Sequence, residues 1–105
     1  MTGDSSSEWA QLDAFERDTL VSIVRLDQSG ESRYELSIRR TLETWYGEAV
    51  GYDRLDAALR TLVDAGLVES NRLDQLTTEY EPTAAARTAI EQYSRFLAGL
   101  VDETA

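Results

Sequence analysis

The chain of 105 residues has no cysteine, no histidine, no lysine and a single proline. Without cysteine there is no disulfide, no thiolate nucleophile and no thiolate metal site. Without histidine the usual imidazole base and most zinc ligand sets are gone as well. Most familiar enzyme chemistries leave with these two residue types, so the sequence is read as a non-enzyme that needs no cofactor and no metal. No run of 18 apolar residues occurs, and Met1–Ser7 is acidic and polar rather than basic and then apolar. Neither a membrane span nor a secretory leader is expected, and the expected setting is the cytoplasm. The missing lysine leaves ten arginines as the whole cationic complement, against twenty Asp and Glu and a formal charge of -10. Dense carboxylates without lysine suit a chain living in concentrated salt, because at molar ionic strength the Debye length falls to about 3 Å and like-charge repulsion is nearly extinguished. A halophilic source is expected.

What remains is enough to fold. The apolar content of 42%, with two Trp, five Tyr and two Phe, supports one small core and one domain. Residues 1–11 lack any period and read as a flexible N-terminal tail. Asp13 and Glu16 have the spacing of a capping box, and the following helix carries Phe15, Leu20, Val21, Ile23, Val24 and Leu26 on more than one stripe, which puts it in the middle of the structure or in an interface. A second helix is predicted over about Ser32–Tyr46, with Tyr34, Ile38, Leu42 and Trp45 as its buried stripe, and Gly47 ends it. A third follows over about Tyr52–Ala65, burying Leu55, Ala58, Leu59, Leu62 and Val63 and stopping at Gly66. After Gly66 the period changes to two. Leu67–Arg72 and Thr77–Glu81 are strands of a hairpin with a polar tip, ended by Pro82. Thr83 then caps a last helix whose Ala86, Ile90, Tyr93, Leu97 and Leu100 alternate four and three, the pattern of a seam between helices.

Two helices joined by a short glycine-containing connection, followed directly by a hairpin, spell a winged helix-turn-helix: mainly α with a small β-hairpin and a C-terminal dimerisation helix. The expected division is a tail over 1–11, a winged helix-turn-helix DNA-binding domain over 12–82, and a dimerisation helix and C-terminal tail over 83–105.

Several runs carry a resemblance to a known family. They are Leu12–Asp18 at the first helix, Tyr46-Gly47-Glu48 and Arg54-Leu55 around the third, Leu62–Glu69 into the hairpin, and Thr77–Tyr80 with Thr83 and Arg87 after it. Over about Leu12–Tyr93 the chain resembles the PadR-like winged-helix transcription regulators, in particular their haloarchaeal branch. That resemblance implies a homodimer, paired through the terminal helix, on pseudopalindromic double-stranded DNA, and some haloarchaeal members serve in the oxidative-stress response. The chain departs from the pattern at Asp56-Ala57, where the family has Tyr-Pro, at Leu76, where related wings often carry Arg, and at Ala86, which replaces a common Gly.

Candidate DNA contacts follow from the motif. Arg54, at the start of the third helix, suits bidentate pairing with guanine, the alternative being a surface pair with Asp53 or Asp56. Arg60 is either a phosphate contact or an ordinary surface charge. Of Arg39 and Arg40, on the helix that crosses the backbone, one is expected to face phosphate. Tyr52 and Ala57 suit a thymine methyl or a sugar, although Tyr52 could equally pack on the connecting loop. Arg72, Gln75, Thr77 and Thr78 are the wing's donors. Asp53 stabilises the helix start and, near phosphates, would draw salt cations into the interface. The dimerisation set is Leu12, Phe15, Ile90, Tyr93, Leu97 and Leu100. Between Glu31 and Arg72 stand six arginines and eight acids, so the reading half is not basic. The rival reading is a winged protein-interaction module that binds a partner through this acidic face.

Overall fold

Asp13 starts the helix around which everything else is arranged. Its Oδ1 accepts the Glu16 N–H at 2.8 Å, and its own N–H donates to Glu16 Oε1 at 2.9 Å. This closes the expected capping box. In the computed structural model, which describes residues 5–102, the elements are α1 (Ser5–Ala10), α2 (Ala14–Gln28), α3 (Glu35–Tyr46), α4 (Tyr52–Asp64), β1 (Val68–Arg72), β2 (Thr78–Pro82) and α5 (Ala84–Asp102). α2 is the central helix. Leu20 and Ile23 from it, Ile38 and Leu42 from α3, Leu55, Leu59 and Leu62 from α4, and Leu67 are essentially without solvent contact. Their mutual burial explains the several apolar stripes of α2, which has neighbours on more than one side.

α3 and α4 form the helix-turn-helix pair. Gly47 closes α3 with φ of 75°, a left-handed cap that a side chain would strain. In the connection Val50 is buried, and its N–H donates to Glu43 Oε2. The hairpin is antiparallel, with Val68 opposite Pro82, Ser70 opposite Tyr80 and Arg72 opposite Thr78. The chain is therefore mainly α with one small hairpin after a helix-turn-helix, as expected.

Four expectations need correction. Residues 5–10, read as tail, form α1, and Trp9 is buried against the Tyr93 ring, 5.2 Å between centroids. Arg17 fixes this helix from below, donating to the Trp9 and Ala10 carbonyls. Residues 1–4 lie outside the described residues. Leu12 and Phe15, assigned to the dimer seam, are buried in their own chain's core and leave little surface for a second copy. The helix placed at Ser32 begins at Glu35. Arg33 and Tyr34 are extended and pair with the hairpin, Tyr34 bridging Glu79 and Tyr80 N–H donating to Arg33 O at 2.9 Å. Trp45, assigned to the core, is 56% exposed.

A three-part ion network anchors the hairpin. Arg33 pairs with Asp27, Glu79 and Glu81 and donates from Nε to Tyr80 O. Asp27 also receives Arg87 from the first turn of α5. The first half of α5 packs inward through Ala86 and Ala89, whereas from Glu91 to Val101 every residue is exposed.

Candidate nucleic-acid interface

Helical geometry sorts the candidates on α4 into two rows, because side chains three and four apart share a face. Asp53, Ala57 and Arg60 share the outward face and are exposed, and Tyr52 and Asp56 lie beside them toward the hairpin. Arg60 Nη2 holds Asp56 Oδ2 at 3.1 Å, which sets a guanidinium at a defined place on the outward row. Arg54 lies on the opposite flank. It is exposed, but its guanidinium carbon sits 3.9 Å from the centroid of the Phe15 ring, at the start of α2. Neither Asp53 nor Asp56, the alternative partners, pairs with it among the described residues. Arg54 and Arg60, six residues apart, therefore stand on different faces of α4.

Between α3, α4 and the hairpin tip lies a groove of about 760 Å³. Tyr52 and Asp56 line one wall, Glu35 and Arg39 another, and the segment from Arg72 to Thr78 the third. Burial, with the Asp56 carboxylate nearby, pushes the Glu35 carboxyl above its ordinary range, while Tyr52 and Arg39 pull it down. Glu35 in turn raises the Tyr52 phenol. Glu35 Oε2 and Arg39 Nε are both buried without a hydrogen-bond partner. Arg39 thus faces the groove and Arg40 the solvent. Glu35 was missed at the sequence level, and its position three residues before Ile38 in the helix stripe was the available signal.

The hairpin tip is tightly tied. Asp74 Oδ1 accepts the N–H groups of Leu76 and Thr77, each at 2.8 Å, and these bonds hold the Asp74 carboxyl below its usual range. Arg72 Nη2 donates to Gln75 O at 2.8 Å, and Thr77 O accepts the Leu73 N–H. Arg72, expected as a donor of the wing, is engaged in holding the turn. Thr77 and Thr78 are half-buried on the groove side.

A second depression, of about 440 Å³ and sharing no lining residue with the first, runs between α1, α2, α3 and α5, with Trp9, Val21, Trp45, Ile90, Tyr93 and Leu97 among its walls. Phe96, Leu100 and Val101 extend its apolar rim along α5. Trp9, Trp45, Phe96 and Val101 were not among the expected dimer residues.

No family model matches the chain, and no curated protein does. Solved structures do. RosR of H. salinarum, in the complex named hsRosR-S4, is 36% identical over 94% of this chain and 83% of its own, with a TM-score of 0.79. RosR of H. salinarum grown from NaBr is 35% identical over 88% of this chain and 80% of its own, with a TM-score of 0.73. A candidate transcriptional regulator of Thermoplasma acidophilum, at 15% identity over 87% of this chain and 96% of its own and a TM-score of 0.53, shares the fold alone.

Proposed function

This chain belongs to the RosR family of haloarchaeal regulators, and on that footing we propose that it is a sequence-specific, PadR-like transcription regulator binding double-stranded DNA as a homodimer in concentrated salt. The observation that carries the reading is the single groove shared by the start of α4 and the hairpin tip. A helix that enters the major groove and a hairpin that reaches the flanking backbone need to present on one side, and these do. Arg60, set by Asp56, with Tyr52, Asp53 and Ala57, makes the base-facing row. Arg39, Arg40 and Arg54 serve phosphates on either side, Arg54 from its seat on Phe15, and Arg72, Gln75, Thr77 and Thr78 position the wing.

The dimer is proposed from the other face. The exposed apolar length of α5 and the depression beside it leave Trp45, Phe96, Leu97 and Leu100 in water in a single chain. A twofold pair covers both copies of that surface at once, and a twofold protein reads a pseudopalindromic operator. A role in the oxidative-stress response fits the family resemblance. With no cysteine in the chain, such a signal reaches it by a route other than thiol oxidation.

Acidity shapes how it binds. Each phosphate neutralised by an arginine releases counterions, which weakens binding as salt rises. Asp53, Asp56 and Glu35 stand in the same surface, so salt cations are taken up between them and the phosphates and offset that release. The test is a duplex enriched from a random pool by the protein, labelled and titrated from low to multimolar KCl. The expected result is a flat or rising affinity, turned to an ordinary decline by Asp53→Asn. Failure to enrich any duplex overturns specific DNA binding. A steep decline in the unmodified protein overturns the cation uptake while leaving DNA binding in place.

A further inference from the structure

Leu76, at the apex of the hairpin, is 97% exposed, and its neighbour Leu73 is half-exposed. An apolar side chain held almost wholly in water at a loop tip gains nothing for its own fold. The loop holding it is nonetheless fixed: the Asp74 carboxylate takes the N–H groups of Leu76 and Thr77, and the Arg72 guanidinium is tied to the Gln75 carbonyl. Arg72 is the one cation from Val68 to Pro82, so the tip meets its target with a rigid apolar point in place of a free positive charge.

We propose that Leu76 is an apolar wedge that enters the minor groove of duplex DNA beside the bases faced by α4. The inference rests on the DNA-binding reading above and names the mode of contact at the wing. The tip lines the same groove as Tyr52 and Asp56, so it approaches the duplex on the side that α4 does. A minor groove about 6 Å wide admits a turn and one side chain, its walls are deoxyribose C–H, and leucine is among the residues that wedge there. Leucine has no use for a phosphate. Because the turn is already closed by its own hydrogen bonds, little ordering accompanies binding. An apolar contact also releases no counterion, so its contribution persists in concentrated salt.

The experiment uses a labelled duplex enriched from a random pool by the full-length protein. Dimethyl sulfate reports guanine N7 in the major groove, and hydroxyl radicals report deoxyribose from the minor groove. Leu76→Ala is expected to keep the major-groove protection, to lose the flanking hydroxyl-radical protection, and to bind roughly tenfold more weakly at every KCl concentration. Leu76→Arg is expected to recover affinity at low salt and to steepen the salt dependence by about two released ions, one for each wing of the proposed dimer. Since Leu76 touches little of its own protein, both variants should unfold at the parent's midpoint. Unchanged affinity and footprint in Leu76→Ala would overturn the wedge and leave DNA binding standing. If the parent enriches no duplex or protects no guanine, the DNA-binding reading falls, and the wedge falls with it.

Discussion

Phe96 is the residue on which the dimer can be tested most sharply. It is 62% exposed on α5, touching Tyr93 at 6.4 Å between ring centroids, so its truncation should disturb the single chain little. A full aromatic side chain offers about 200 Å². The exposed fraction is then about 120 Å², which at about 25 cal/mol per Å² is a ceiling of about 3 kcal/mol per copy, or about 6 kcal/mol for a twofold pair. Association does not return all of the buried area as affinity, because ordering and imperfect packing oppose it. Half the ceiling, about 3 kcal/mol, is the expected loss for Phe96→Ala, roughly a hundredfold in the dimer dissociation constant. Sedimentation equilibrium in multimolar KCl measures that constant directly, and circular dichroism on the same samples confirms an intact fold. A folded Phe96→Ala protein with the parent's dissociation constant would refute the assignment of this face. So would a parent that sediments as a monomer at every concentration.

Three further outcomes are expected. Asp13→Ala removes the side-chain acceptor for the Glu16 N–H, leaving only the backbone half of the capping box, and should cost about 1 kcal/mol in urea unfolding, whereas an unchanged midpoint would make the box ornamental. Arg54→Ala should lower stability by about 1 kcal/mol through lost stacking on Phe15 and weaken all DNA sequences alike, whereas Arg60→Ala should cost about 1–3 kcal/mol on the selected duplex and relax one base preference, as paired binding curves will read. Glu35 has its carboxyl pushed up by burial and Asp56. Its contribution to stability is therefore fully present below the ordinary carboxylate range and is lost as the pH rises through its raised value. Glu35→Gln should raise the melting temperature at neutral pH, and the gain should vanish in acid; a gain independent of pH would refute the linkage.

How much of this was legible beforehand depended on whether a local signal sufficed. Asp13 and Glu16 carry their own instructions, as do Gly47 and the change of period after Gly66, because caps, left-handed stops and strand alternation are decided within a few residues. Trp9 is different. Nothing in Ser5–Ala10 is amphipathic; the helix is held by Arg17 eight residues on and by Tyr93 at the other end of the chain. Arg33 and Tyr34 read as helix start because their partners, Glu79 and Tyr80, are distant in sequence. Trp45 follows the stripe of Ile38 and Leu42 in spacing but lines open depressions beside α2 instead of entering the core. The seat of Arg54 on Phe15 was not legible because its partner belongs to another helix, and no signal within α4 carries it.

The carboxylate of Asp27, in the last turn of α2, receives one guanidinium from Arg33, in the extended segment that pairs with the hairpin, and another from Arg87 in the first turn of α5. Two protomers joined along α5, as proposed, would behave like a pair of calipers, each arm braced at its joint by this one acid. The opening between the two hairpin tips would be set at the hinge rather than at the points. Such an instrument measures distance as well as letters: half-sites of the correct sequence, set a base pair too far apart or too close, would strain both braced joints, and binding would weaken although every base were right.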